Sequence, residues 1–182
     1  MWRAHIQLDT LDDANFPRKG YAFVAEASIL EYESGGDPIR TYLLNGLLPV
    51  TFGRLTLLGI ANARRSRDDR GGFGLGGFLN LSGTPPGAVS GSQAGYLAAL
   101  AYWHMGRTRG ALGGDWYAGF SLEAGNAWKR ASDFARDDVR KAGSLFLGLD
   151  SLIGPLYFAY GRTFGGESAW YLFLGRPGYR GL

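Results

Sequence analysis

Seven glycines fall within the 23 residues Phe73 to Gly95, FGLGGFLNLSGTPPGAVSGSQAG. Glycine at that density could cradle a phosphate, but the G-K-[ST] that completes a P-loop does not follow. A dinucleotide fingerprint would need a helix after it, and residues 96–105 alternate as a strand does. The esterase elbow G-x-S-x-G is absent, since neither Ser90 nor Ser92 stands between glycines at that spacing. The two histidines, His5 and His104, belong to no histidine–carboxylate cluster at metal-binding spacing. Asp9, Asp12 and Asp13 crowd one turn without the regular calcium-loop spacing. The chain has no cysteine, which removes thiolate chemistry and disulfides. These residues point away from catalysis: we expect no enzyme activity in this chain, no cofactor and no metal site.

Two carboxylates stand out for their position. Glu123 and Asp150 fall on the small and polar face of alternating segments. A carboxylate in a sheet wall needs water, a hydrogen bond or a cation. Arg40, Arg54, Arg64 and Arg162 are the cations available by the same reading.

Alternation is the dominant period along the chain. In YAFVAEASIL, residues 21 to 30, Tyr21, Phe23, Ala25, Ala27 and Ile29 share one face, with Glu26 and Ser28 on the other. In WYAGFSLEAG, residues 116 to 125, Trp116, Ala118, Phe120, Leu122 and Ala124 oppose Tyr117, Gly119, Ser121, Glu123 and Gly125. The pattern predicts nine strands, at about 2–9, 21–32, 39–48, 54–64, 95–106, 115–126, 142–151, 155–162 and 168–175, in one domain over 1–182. From the second strand on, long and short connections alternate, the longest at about 65–94. An outer-membrane barrel has this rhythm, with long outer loops and short periplasmic turns.

Composition agrees with an all-β chain. Glycine makes up 30 of 182 residues, about twice the usual share. Aromatics reach 14 %, too many for a disordered chain. No run approaches 18 apolar residues, so no membrane helix is expected, which says nothing of membrane strands. Residues 1 to 15 lack the apolar core of a secretory signal. The net charge of +3 is a weak excess. Its basic residues at 64–70 and 129–141 are interleaved with Asp133, Asp137 and Asp138, a solvated-loop pattern that argues against nucleic acid as a partner.

Four pieces, in order, carry a resemblance: LDTLDDANFPRKGY at 8–21, GLGGFLNLSG at 74–83, SLEAGNAW at 121–128, and LFLGLDSLIGPLYFAYGR with SAWYLFLGRP near the end. Together they resemble the C-terminal barrel region of the bacterial surface antigen (Omp85) superfamily, closest to the barrel of patatin-like outer-membrane phospholipases. The resemblance implies an antiparallel transmembrane β-barrel in the bacterial outer membrane. This chain would supply eight or nine strands, as part of a sixteen-stranded wall or closing alone. It implies a membrane anchor or a translocation and assembly module. Its partners would be outer-membrane lipid, the barrel-assembly machinery, a passenger or an N-terminal domain, or further copies of itself.

The resemblance also implies that the long loop folds into the lumen, with Gly76, Gly77, Phe78, Leu81 and Gly83 as the signature that packs on the wall. Glu123 and Asp150 are the wall partners it suggests. Gly76 stands where the family has Arg, so the family's usual Arg–carboxylate contact cannot form here. Trp170, Leu172, Leu174 and Tyr179 match the terminal assembly signal. The alternative from the residues alone is a soluble, lipocalin-like barrel that binds a small molecule. Its apolar faces would turn inward, with the long loop as a lid.

Overall fold

The computed structural model describes residues 1–31, 37–67, 73–109, 113–130, 133 and 138–177. Eleven strands run through them: β1 Trp2–Asp9, β2 Ala22–Leu30, β3 Ile39–Phe52, β4 Leu55–Ser66, β5 Phe73–Leu75, β6 Val89–Gly91, β7 Gln93–Thr108, β8 Gly114–Trp128, β9 Arg140–Ser151, β10 Gly154–Thr163 and β11 Ser168–Leu174. Nine form one sheet in the order β1-β2-β3-β4-β7-β8-β9-β10-β11, and β5 pairs with β6 as a separate ribbon. Each pairing is antiparallel, so the sheet is an up-and-down meander with the ribbon inserted between β4 and β7. β1 and β11 each have one neighbour, and no closed barrel, of eight strands or nine, forms among the described residues.

The nine long strands are those that alternation predicts, with ends that differ by a few residues. The ribbon is an addition, because three-residue strands inside a Gly-rich loop have no period to read. The largest extension is β3, expected to end at residue 48 and running on to Phe52. Pro49 would argue against a central strand, because proline cannot donate to the ladder. It is tolerated because β2 starts opposite Leu47, so β3 has only β4 beside it at Pro49.

Register fixes two faces. On one lie Val24, Asn45, Asn62 and Tyr96, paired strand to strand from β2 to β7. Further along are Leu100, Ser121 and Ser144, from β7 to β9. This face is covered. The segment 73–91 lies over it from the long-loop end, and the 10–21 turn tucks under it from the other. Phe16 in that turn is 3 % exposed and stacks on Tyr117 at 4.1 Å between ring centroids. It also meets Tyr102 at 6.0 Å and Tyr157 at 5.3 Å. The Tyr102 hydroxyl donates to the Pro17 carbonyl.

The acidic residues of this turn are occupied in building it. Asp12 accepts from the Arg18 and Lys19 amides at 2.8 and 2.9 Å. Asp13 accepts from those of Asn15 and Phe16 at 2.6 and 2.7 Å. Burial alone would raise the Asp12 carboxyl, but those amides and the nearby Lys19 ammonium outweigh it and hold it below the usual carboxylate range. That support is present above the ordinary carboxylate pKa and is lost as pH falls through the depressed one.

The other face carries Leu44, Leu48, Val50, Leu57, Leu97, Leu122, Leu145, Leu147 and Leu172, and nothing described covers it. Phe16→Ala removes a ring packed on three tyrosines. It is expected to lower folding stability by about 3–5 kcal/mol, read as a lower urea midpoint.

Candidate functional site

β8 sits mid-sheet, and its alternation turns Ser121 and Glu123 to the covered face. Glu123 is 4 % exposed there. Its Oε2 accepts from two successive backbone amides of the loop, Leu81 at 2.8 Å and Ser82 at 2.9 Å. Its Oε1 accepts from the Ser82 hydroxyl at 2.7 Å and the Ser121 hydroxyl at 2.5 Å. Ser144, opposite Ser121 on β9, extends the chain at 2.7 Å. All four groups on the carboxylate are donors, and two adjacent amides aimed at one oxygen form an anion-binding nest.

The loop takes an unusual path to present those amides. Leu79 and Leu81 have φ of 55° and 70°, the left-handed region that side chains disfavour. Each residue so held costs on the order of 1–3 kcal/mol and needs its surroundings to enforce it. The enforcement is explicit. Leu79 N–H donates to the Ser82 hydroxyl at 3.0 Å, and the Tyr96 hydroxyl donates to the Leu79 carbonyl at 2.8 Å. Gly83 N–H donates to the Tyr171 hydroxyl at 2.9 Å, and Thr84 meets Thr163 at 2.9 Å. Leu79 and Leu81 are 1 % and 0 % exposed.

Two of the three signature glycines are required by space. A Cβ on Gly76 (φ 131°) would lie 2.0 Å from the Pro85 carbonyl oxygen. One on Gly83 (φ 93°) would lie 2.5 Å from the Thr163 nitrogen. Gly77 closes the loop by donating to the Thr84 carbonyl at 2.8 Å. Phe78 meets Phe146, Tyr157 and Tyr171 at 5.9, 5.3 and 5.7 Å. Tyr157 therefore touches both Phe16 and Phe78, where the two covering segments meet.

Among the described residues no ion pair joins the four expected arginines to either carboxylate. Arg40 and Arg162 lie on the exposed face by register, and Arg54 is in the β3–β4 turn. Arg64 is on the covered face with its guanidinium 5.9 Å from the Phe73 ring centre. Glu123 is met by amides and hydroxyls instead, and Asp150 accepts from the Asn15 side-chain amide at 2.8 Å. Trp170, Leu172 and Leu174 are on the exposed face of edge strand β11, at 69, 79 and 55 % exposure. Tyr179 lies outside the described residues.

His5 neighbours Gln7 and Glu26, and His104 bonds Asp115 at 2.9 Å. Among the described residues no group of three or more His, Asp or Glu could hold a metal ion. Sequence reasoning missed Ser82, Tyr171 and Thr163. Only Ser121 carried a signal, its two-residue spacing from Glu123. No protein-family model and no curated protein matches this chain.

Glu123→Gln turns one acceptor of this nest into a donor facing donors. The expected loss is about 1–3 kcal/mol, with faster proteolysis within residues 76–84. Asp150→Asn, half-buried with a single side-chain partner, is expected to cost under about 1 kcal/mol. Urea midpoints and limited proteolysis of the two variants check the contrast.

Proposed function

We propose that this chain is a section of an outer-membrane β-barrel wall of the bacterial surface antigen type. In this reading it serves as a membrane anchor or as a translocation and assembly module, without catalysis of its own. The observation that carries it is the inversion of the sheet's two faces. Asn45, Thr56, Ser121, Glu123, Ser144 and Thr163 are buried, while Leu48, Leu97, Leu122, Leu145, Phe158 and Leu172 are 52–79 % exposed. A contiguous apolar surface on this scale is a liability in water and marks a face that meets lipid or a partner. Polar groups inside and apolar groups outside are what a membrane wall needs.

Dimensions and edges support the same reading. On β3 the exposed face runs from Tyr42 to Phe52. Ten residue steps rise about 33 Å along a strand, or about 25 Å across a bilayer at the usual tilt. Aromatics stand at both limits: Trp2, Tyr42, Trp128, Tyr160 and Trp170 toward the long loops, and Tyr21, Phe52, Trp103 and Trp116 toward the short turns. Membrane barrels carry such girdles.

Strand direction alternates, so β1 and β11, first and ninth in the sheet, run the same way. Antiparallel closure then calls for an odd number of further strands, and seven would complete a sixteen-stranded wall. The soluble, ligand-binding alternative needs the apolar faces turned inward, and their exposure favours the membrane reading.

The chain is expected to fractionate with the outer membrane when given an export signal, to require detergent for extraction, and to migrate differently on gels before and after heating. Recovery as a detergent-free soluble monomer overturns the reading. Ala61→Arg, mid-belt on the exposed face, is expected to cost about 2–4 kcal/mol of insertion. Its yield of folded form in lipid vesicles should fall accordingly.

A further inference from the structure

We propose that the long-loop end of the exposed face binds the phosphate-bearing headgroup of an anionic lipid, with the acyl chain lying in the groove below it. The inference rests on the membrane reading above and gives the lipid a specific seat. Register sets Tyr42, Arg65, Gln93 and Trp128 side by side on β3, β4, β7 and β8, as consecutive cross-strand partners. With Leu44 and Arg130 they line a cavity of about 300 Å³. Trp128 lies across the strand surface at Gly95, whose added Cβ would meet its ring at 3.8 Å, and so walls one side.

The chemistry fits a phosphate. Arg65 and Arg130 have no ion pair among the described residues, whereas Arg3 and Arg107 are paired with Glu26 and Asp115. Two residues beyond this row, Arg40 and Arg67 follow on the same face, joined through the Arg67 amide and the Arg40 carbonyl at 3.0 Å. Guanidinium forks bind phosphate oxygens in pairs, and glutamine and tyrosine add neutral donors. Basic residues next to an apolar lipid-facing surface draw anionic headgroups.

An acyl chain has somewhere to go. Four residues from that row along β3, β4 and β7, at Gly46, Ala61 and Leu97, an apolar groove of about 850 Å³ begins. Gly59 and Ala99 continue its floor, and Leu48 and Leu122 stand beside it. Headgroup cup and groove are thus stacked along the same three strands, in the order in which a lipid presents phosphate and chain.

The test is native mass spectrometry of the full chain in a zwitterionic detergent, with equimolar dioleoyl phosphatidylglycerol and dioleoyl phosphatidylcholine. The wild type is expected to retain the anionic lipid roughly tenfold better. The preference should vanish in Arg65→Gln combined with Arg130→Gln and return in part with Arg65→Lys and Arg130→Lys. Ala63→Leu, which fills the passage between cup and groove, should weaken retention with no change of charge. Arg107→Gln, at the opposite end of the sheet, should leave it intact.

Equal retention of both lipids by folded wild type overturns the site. So does a preference that survives loss of both arginines, or that falls equally with Arg107→Gln. Displacement by inorganic phosphate at lipid concentrations would mean a free-anion site and also overturn it. Heat-modifiable mobility of each variant separates loss of the site from loss of the fold; if the double variant misfolds, Ala63→Leu and the phosphate competition still decide. A wild type that stays soluble without detergent sinks the membrane reading itself, a result distinct from all of these.

Discussion

The interior of this protein is organised around a carboxylate that, among the described residues, is met by hydrogen-bond donors and not by a cation. Glu123 sits on the covered face of a central strand with four donors on its two oxygens, two of them consecutive amides of a loop 41 and 42 residues upstream. A buried charge is costly unless its lone pairs are filled, and here backbone dipoles fill them. The interaction works in both directions. The loop tip holds two leucines in a disfavoured backbone region, a conformation that would relax without something to bind. The carboxylate needs the nest and the nest needs the carboxylate.

From that point the covering of the sheet follows. Once residues 81 and 82 are fixed on β8, Phe78 reaches the aromatic cluster on β9, β10 and β11, and Gly83 and Thr84 reach Tyr171 and Thr163. The 10–21 turn approaches from the opposite end and is bonded across to β9 through Asn15 and Asp150. Both segments share Tyr157, so the middle of the covered face is filled by two rings from opposite directions. Sheet curvature alone would not exclude water from the polar residues beneath; these two insertions do.

How legible this was depends on range. Strand positions and the two faces came from a period of two residues, which is local and strong in segments such as 116–125. Glu123 could be named because a carboxylate on a small-residue face is visible in one dimension, whereas Gly76, Phe78 and Leu81 were named only as the loop signature that the resemblance implies. Their partners were not. Which donors would meet Glu123 depends on the left-handed turns at Leu79 and Leu81, and leucine gives no warning of such a backbone. Water, a hydrogen bond and a cation were all open to that carboxylate, and register sends Arg40 and Arg162 to the other face. The β5–β6 ribbon is three residues a side, too short for any period to declare it.

The reach of the loop tip's bonds carries a consequence for how the chain assembles. Most neighbouring strands of this meander are close in sequence, the exception being β4 and β7, whose partners run from Arg65–Gln93 to Leu55–Trp103 because the ribbon intervenes. The tip reaches as far and farther: its contacts with Glu123 span 41 and 42 residues, with Thr163 79, and with Tyr171 88. Residues 79 to 84 precede both β8 and the last hairpin in the chain, and their full set of bonds draws partners from each. The tip thus ties three distant parts of the sheet together: its bonds are all satisfied only where β8, β10 and β11 are each in place.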